Sequence, residues 1–445
     1  MIGRAGTITV VVVEGVGLRR LRNFCSRGLL PGFSRLLAVG QHGSLRTRAA
    51  AYEAPMLSSA WTGVTPGEHG CFSYWHVHSG GGRPQIFEPY ELRVAPLWDS
   101  EVVADRRFVL VNLFGSDPSR PSRHTIIGYP FRQTIAGCQP RSLLSSLARR
   151  GMGYIHDVMA FYRGEPLADF LKVLVRVEEN RIQAVKALAE EPYDVLIANF
   201  TIADRVGHFY EHEVADDEPG PDGTAALVAY QMLDEVVGLL ADADGDVLVF
   251  SEFGFGPLRE FVSFNDVLTA ASLLTPGDGP EKAFEGRTLA FEAVQGSHGI
   301  NLNLLGRYPE GSVAPEDYEH VLSEVRASLL AAHHSQTGQP LLKEVLRREE
   351  LYQGPFVEAA PDLVLVPADE RYLPRGDPFW ASHVNRHLQT GWHRSDGFWI
   401  GHGPSFRASL LPAPRVAAPE DVAATIFALL GRDPPRTVVG TPLFC

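Results

Sequence analysis

Apolar positions fall in short runs separated by amphipathic stretches, and that alternation predicts the fold class. Ile8–Val13 is β-branched and apolar on both faces, which suits a central strand of a parallel sheet. Gly15 and Gly17 break the run, and Leu18–Leu37 has helical character interrupted at Gly28, Pro31 and Gly32. The strand pattern recurs at Phe108–Val111, Asp194–Phe200, Asp246–Ser251 and Gly397–Ile400. Helical spacing recurs at Leu167–Glu191, Ala225–Ala241 and Asp421–Leu430. Alternating strands and helices predict an α/β fold with a largely parallel central sheet. Residues 256–387 are less regular and rich in Pro and Gly, with one clear helix (Pro315–Ala332) and one strand (Asp362–Val366). The expected organisation is a core of residues 1–255 and 388–445. Residues 256–387 are expected to be partly core and partly a cap over the carboxyl edge of the sheet, where they would set substrate choice.

Composition narrows the partners. Among 445 residues, 53 acidic against 40 basic side chains leave a net charge of −13, which gives no general field for nucleic acid or anionic lipid. No stretch approaches the roughly 20 apolar residues needed to span a bilayer. Glu14 cuts the first apolar run too short for a signal peptide. Cys25, Cys71, Cys138 and Cys445 form no CxxC pair, so neither a disulfide framework nor a zinc–thiolate site is expected. The expectation is a cytoplasmic protein acting on a small molecule. No glycine-rich phosphate cradle follows any strand, so dinucleotide or ATP binding has no support.

Ligands of open α/β sheets bind beyond the carboxyl ends of strands, so the residues there matter most. Glu14 follows the first strand, and Asp204 and His208 follow the strand ending at Phe200. Glu252 follows Ser251, and His393 precedes Gly397–Ile400. Taken alone, Asp204 reads as a helix cap with His208 on the surface, Glu14 as an ion-pair partner and Glu252 as a loop carboxylate. Carboxylates and imidazoles at four strand ends of one sheet point instead to a metal site.

At these residues the chain resembles the alkaline phosphatase superfamily, in its type I phosphodiesterase/nucleotide pyrophosphatase branch. More narrowly, it resembles the bacterial predicted phosphohydrolase/phosphomutase group. The resemblance runs through Leu30–Leu37, Ala60-Trp-Thr-Gly-Val-Thr-Pro-Gly-Glu-His-Gly70, Asp204-Arg-Val-Gly-His208 and Ser251-Glu-Phe-Gly-Phe-Gly-Pro257. It continues through Asn303–Gly311, Ala360-Pro-Asp362, Gly391-Trp-His-Arg-Ser-Asp-Gly397 and Asp421–Gly431. It implies a three-layer α/β/α sandwich with a cap insertion, and two divalent metals. It also implies that Asp204, His208 and His393 hold one of those metals, and these three residue types are intact.

For the other metal the family uses an Asp after the first strand, an Asp-His pair and a nucleophilic Ser or Thr. Here those positions read Glu14, Glu252-Phe253 and, counting back from Thr62-Gly63, Glu53. Ser58 and Ser59 are nearby hydroxyls that could replace the nucleophile. Glu53 cannot supply an alkoxide, and direct attack by its carboxylate would give an acyl phosphate. It reads more simply as a metal ligand or as a general base for water. The candidate metal ligands are therefore Glu14, Glu53, Asp204, His208, Glu252 and His393, with Glu53 also the catalytic candidate. Four crowded carboxylates require a cation, and their oxygens shift preference from zinc toward Mg, Mn or Fe. The expected cofactor is one or two divalent ions (Mn, Fe, Mg or Zn). Asn112, Arg205 and Trp75 are candidates for substrate contact. Tyr74 and His76, beside Trp75, are candidates for pocket lining, but aromatic packing is the safer reading for them. His69 reads as part of a structural turn, and His212, His298, His383, His387 and His402 as surface or supporting groups.

The reading is a metal-dependent hydrolase or transferase of a phosphate (or sulfate) ester. Two alternatives stay open: a remodelled metalloenzyme doing non-phosphoryl chemistry, and a non-catalytic relative that binds a ligand.

Overall fold

A computed structural model describes residues 2–444 except 48–49, 77–84, 118–122, 129–136, 158–160, 216–217, 220–224, 280–281, 285–286, 295, 309, 377–387 and 410–415. His383, His387 and Cys445 lie outside the described residues.

The chain opens with β1 (Ile8–Val13), α1 (Leu18–Ser26), α2 (Pro31–Val39), β2 (Gln41–Leu45) and α3 (Glu53–Thr62). There follow β3 (Phe108–Leu113), β4 (Thr125–Gly128), β5 (Cys138–Gln139), α4 (Leu167–Leu188), β6 (Val195–Phe200) and α5 (Ile202–Tyr210). Then come α6 (Ala225–Leu240), β7 (Asp246–Ser251) and β8 (Gly254–Pro257). One sheet of eight strands carries the order β2, a C-terminal strand β14 (Gly397–His402), β7, β1, β6, β3, β4, β5. Only β14 and β5 run against the rest.

The layers follow from side-chain alternation along the strands. Val11 and Val13 of β1 point into a cluster with Leu21, Phe33, Phe170 and Leu233, contributed by α1, α2, α4 and α6. Ile8, Val10 and Val12 point the other way, onto Leu57 and Trp61 of α3 and onto Ile426 of α8 (Asp421–Leu429). Helices therefore cover both faces, which is why β1 carries no solvent-facing polar alternation. The expected α/β/α sandwich with a largely parallel sheet is observed.

The stretch read as irregular holds more order than its composition implied. A second sheet has the order β9 (Ala290–Glu292), β10 (Gly299–Leu302), β12 (Leu363–Pro367), β11 (Leu342–Arg347). α7 (Tyr318–Leu330) packs on it through Leu322, Val325 and Leu329, with its own apolar cluster. β12 and α7 fall on the strand and helix expected from the sequence, whereas β9 and β10 are only three to four residues long and half of β11 is charged, which hid those three strands.

Last comes a hairpin-like pair in which β13 (Gly391–Arg394) lies antiparallel to β8, with His393 opposite Phe255. Because β14 runs backwards, the chain that enters it lies at the carboxyl edge of the parallel strands. Among the described residues no helix is long and apolar enough to cross a membrane.

Candidate metal and catalytic site

Each candidate ligand is placed by a different element at that edge. Glu14 directly follows β1, Glu252 directly follows β7, Asp204 lies in the first turn of α5 and Glu53 in the first turn of α3. All four carboxylates are buried, at 0–6% exposure. The capping role considered for Asp204 does not hold: Thr201 precedes the helix, and Asp204 is turned into the interior. Gly15, with φ +85°, lets the chain after β1 pass this close to α5. A Cβ there would meet the Asp204 backbone at 2.7 Å.

Asp204, His208 and His393 offer one ligand atom each, all within 4.8 Å of one another. His208 Nε2 lies 3.6 Å and His393 Nε2 3.2 Å from Asp204 Oδ1. His393 Nδ1 is 3.0 Å from the carbonyl of Ala51, which orients the ring so that Nε2 faces the Asp204 carboxylate. One carboxylate and two imidazoles converging at this spacing fit a divalent metal ion. The imidazoles are held by rings: Phe253 stacks on His393, Phe255 meets His393 edge-on at 5.1 Å, and Trp392 lies 4.8 Å from His208.

The three glutamates lie near this triad, but among the described residues only Asp204, His208 and His393 form a group whose ligand atoms lie that close together. Glu14 Oε1, Glu53 Oε2 and both carboxylate oxygens of Glu252 are buried without a hydrogen-bond partner. Glu14 Oε2 accepts from Asn199 at 2.7 Å, and Glu53 Oε2 lies 3.8 Å from His393 Nδ1. Burial pushes the Glu14 carboxyl well above its usual range, and the charges of Asp204 and Glu252 push it further. Burial, with repulsion from Glu53 and Asp204, does the same to Glu252. Burial also raises Glu53, opposed by His393. Burial works against Asp204 too, yet Arg205, His208 and His393 hold it well below the ordinary carboxylate range.

Arg205 belongs to this wall. Its guanidinium donates to Asp204 Oδ2, lies 3.8 Å from Glu14 Oε1, and donates to Asp157 Oδ2 at 3.0 Å. Asn112 does not join the carboxylates. Its φ is +60°, and its amide donates to the Asn199 carbonyl at 3.2 Å, with Asp157 Oδ1 at 3.5 Å. Trp75 also lies apart, lining a cavity of about 550 Å³ with His76, Phe72, Arg93, Tyr308 and Phe356, which none of the six ligand candidates lines. Tyr74 instead packs edge-on against Tyr52 and Phe114. Ser58 and Ser59 are buried within α3, and Ser59 Oγ is 2.9 Å from His69 Nε2. His69 in turn accepts from the Cys71 amide at 3.1 Å, closing the turn. His212 is exposed beside Thr390, and His402 is buried at the end of β14. His298 feels the charge of His393 and is pushed down to about 4, chiefly by burial.

Sequence reading missed the buried ion network behind Arg205. Asp157 Oδ1 accepts from Arg181 Nη2 at 2.5 Å and from Thr201 Oγ1 at 2.6 Å, while Arg181 also pairs with Glu178. Glu178 Oε1 accepts from the Ile202 amide at 3.2 Å, at the start of α5. The one available signal was Glu178 and Arg181, three apart on an otherwise apolar helical face.

Comparison with known proteins accords with this geometry. Residues 8–396 match the model of the type I phosphodiesterase/nucleotide pyrophosphatase family. The chain belongs to that family. Among curated protein sequences none matches it. Its fold is similar to that of phosphonoacetate hydrolase from Sinorhizobium meliloti 1021 in complex with phosphonoformate, at 19% identity and a TM-score of 0.61, covering 96% of each chain. It is also similar to human ectonucleotide pyrophosphatase/phosphodiesterase 5, at 14% identity and a TM-score of 0.57, again covering 96% of each chain. The alkaline phosphatase PafA compares at 14% identity and a TM-score of 0.57, covering 100% of this chain and 99% of that one. Membership in this family supports a hydrolase acting on phosphoesters.

Proposed function

We propose that the protein is a divalent-metal-dependent hydrolase of small phosphate esters (sulfate esters being the secondary class), in which water rather than a side-chain hydroxyl attacks. The convergence of Asp204, His208 and His393 within 4.8 Å, beside three buried glutamates, carries this reading. Asp204, His208 and His393 would hold a divalent ion, with Glu14, Glu53 and Glu252 as further oxygen ligands. When bound, such an ion polarises the phosphoryl group and lowers the pKa of water.

The protein's own groups do the rest. Glu53 replaces the nucleophilic hydroxyl position of the family and acts as general base. Burial raises its carboxyl, which brings a carboxylate base closer to neutral working pH. As the water oxygen bonds to phosphorus, Glu53 takes one water proton and the ester P–O bond breaks, and the departing alkoxide oxygen takes up a proton from Glu53 or from solvent to leave as the alcohol. Arg205, anchored by Asp157, holds a fixed positive charge at the wall for the phosphoryl oxygens. The cap role proposed for residues 256–387 is supported at two points. Gly296 sits so close that a Cβ would meet the Tyr52 ring at 2.4 Å, and His298 feels the charge of His393. A reduced, cytoplasmic setting is part of the proposal, supported by free Cys25, Cys71 and Cys138.

The test is a panel of phosphodiesters, phosphomonoesters and sulfate esters with metal-loaded protein. Turnover should fall about 10²–10⁴-fold in Glu53→Gln and vanish in His393→Ala. Metal-loaded protein inert on every ester would overturn the proposal.

A further inference from the structure

The cavity beside Trp75 plays no part in the chemistry proposed above. Its volume is about 550 Å³, and none of the six ligand candidates lines it. Small-molecule sites typically span about 300–1,000 Å³. It lies where the segment from Gly70 to Arg93 meets the second sheet, whose strand β10 contributes Asn301.

Aromatic rings form much of the wall, and they are braced. Phe72 meets Tyr352 edge-on at 5.0 Å between ring centroids, and Tyr308 meets Phe291 edge-on at the same distance. Neither Tyr352 nor Phe291 lines the cavity, so both hold their partners from outside it. Trp75 sits in a short strand, Trp75–His76, paired with Gln85–Ile86. Phe72, Trp75, Tyr308 and Phe356 are all only partly buried. Rings held in advance can stack on a flat ligand at little ordering cost.

Charge narrows the ligand. Arg93 and Arg307 are matched by Glu91 and Glu358, so these lining groups sum to no net charge. Arg307 is already paired with Asp362 at 2.7 Å, Glu91 lies 3.2 Å from His76 Nε2, and the Arg93 guanidinium lies over the Phe356 ring at 5.5 Å. A lining without net charge gives an ionic ligand no advantage over a neutral one. The Asn301 side-chain amide makes no hydrogen bond among the described residues, and an amide can both donate and accept.

We infer that this cavity is a second ligand site, which takes an uncharged planar aromatic group carrying one amide-like substituent for Asn301. The inference needs no metal and stands apart from the ester-hydrolase reading.

The test is calorimetric titration of full-length protein with 2-naphthamide, in chelated and in metal-loaded form. One site per chain with Kd below about 1 mM is expected in both forms. Decahydronaphthalene-2-carboxamide keeps the amide and the bulk but not the flat ring, and should bind at least about fivefold more weakly. 2-Naphthoate, which exchanges the amide for a charge, should bind no more tightly than the amide. Trp75→Ala should weaken 2-naphthamide about tenfold and Asn301→Ala about fivefold. Phe356→Leu keeps apolar bulk without the ring and should weaken it too. Circular dichroism on each variant separates a lost site from a lost fold. No saturable binding, equal affinity for the saturated analogue, tighter binding of 2-naphthoate, or unchanged affinity in folded Trp75→Ala and Asn301→Ala would overturn the inference. So would displacement of 2-naphthamide by inorganic phosphate from metal-loaded protein. A chain that binds 2-naphthamide in this way yet hydrolyses no ester refutes the proposed function alone. A chain that hydrolyses esters without binding it refutes this inference alone.

Discussion

Phe253 lies face to face with His393, with ring centroids 4.0 Å apart and planes 18° from parallel. Phe253 acts as a clamp: one face of His393 is packed while Nδ1 is held by the Ala51 carbonyl. Phe253→Ala should therefore cost about 3–5 kcal/mol of stability as a buried ring is lost. It should also weaken divalent-metal binding by freeing the imidazole. Phe253→Leu should recover most of the stability but not the ring stack. Denaturant unfolding paired with titration of divalent metals checks both.

Asp157 is shared by two buried guanidiniums, Arg181 and Arg205. Burial opposes its charge, but Arg181 and Arg205 hold its carboxyl below the usual range. Asp157→Ala leaves those cations partly uncompensated, and the expected loss is about 3–5 kcal/mol. Asp157→Asn should lose less stability. It should still raise KM for an anionic ester, because Arg205 is no longer anchored.

The pH behaviour of metal-free protein should be unusual for a protein with so many acids. Burial, then repulsion from Asp204 and from neighbouring glutamates, raises the folded Glu14 and Glu252 carboxyls above their ordinary value of 4.5. Above that value the folded state holds protons that the unfolded chain has released. Stability from these groups is thus full below about 4.5 and is lost as pH rises through the folded values. Chelated wild type should melt at lower temperature as pH rises from 5 toward 8, and saturating metal should flatten the trend. A Glu14→Gln/Glu252→Gln pair should flatten it without metal.

Gly15 is predicted to be intolerant. Its φ is +85°, and a Cβ would approach the Asp204 backbone to 2.7 Å. Gly15→Ala should cost on the order of 1–3 kcal/mol in strain and displace Asp204, so divalent-metal affinity should fall with stability. Gly28, also at positive φ but with open space around it, is the control. Gly28→Ala should lose stability alone.

Much of this was legible in the chain. The β1 run predicts a strand buried on both faces because both of its faces are apolar, and the i,i+4 spacing of Asp204 and His208 places them on one helical face. Glu14 and Glu252 could be found because they directly follow strands. Asp157 could not, since it lies in an irregular stretch and its meaning depends on Arg181 and Arg205 arriving from two different helices. Asn112 and Trp75 show the opposite limit. Proximity to a strand end and an aromatic character mark a residue as a candidate, but only packing decides which way it faces. For Asn112 that direction is toward Asp157, and for Trp75 toward a separate cavity.

The central claim is that water, not a side chain, attacks phosphorus, with Glu53 in the place of the family's nucleophile. Hydrolysis of a chiral phosphorothioate diester by metal-loaded protein in ¹⁸O-labelled water tests it most directly. A single displacement by water predicts inversion of configuration at phosphorus. Net retention, the result of two displacements through a covalent intermediate, would contradict the account.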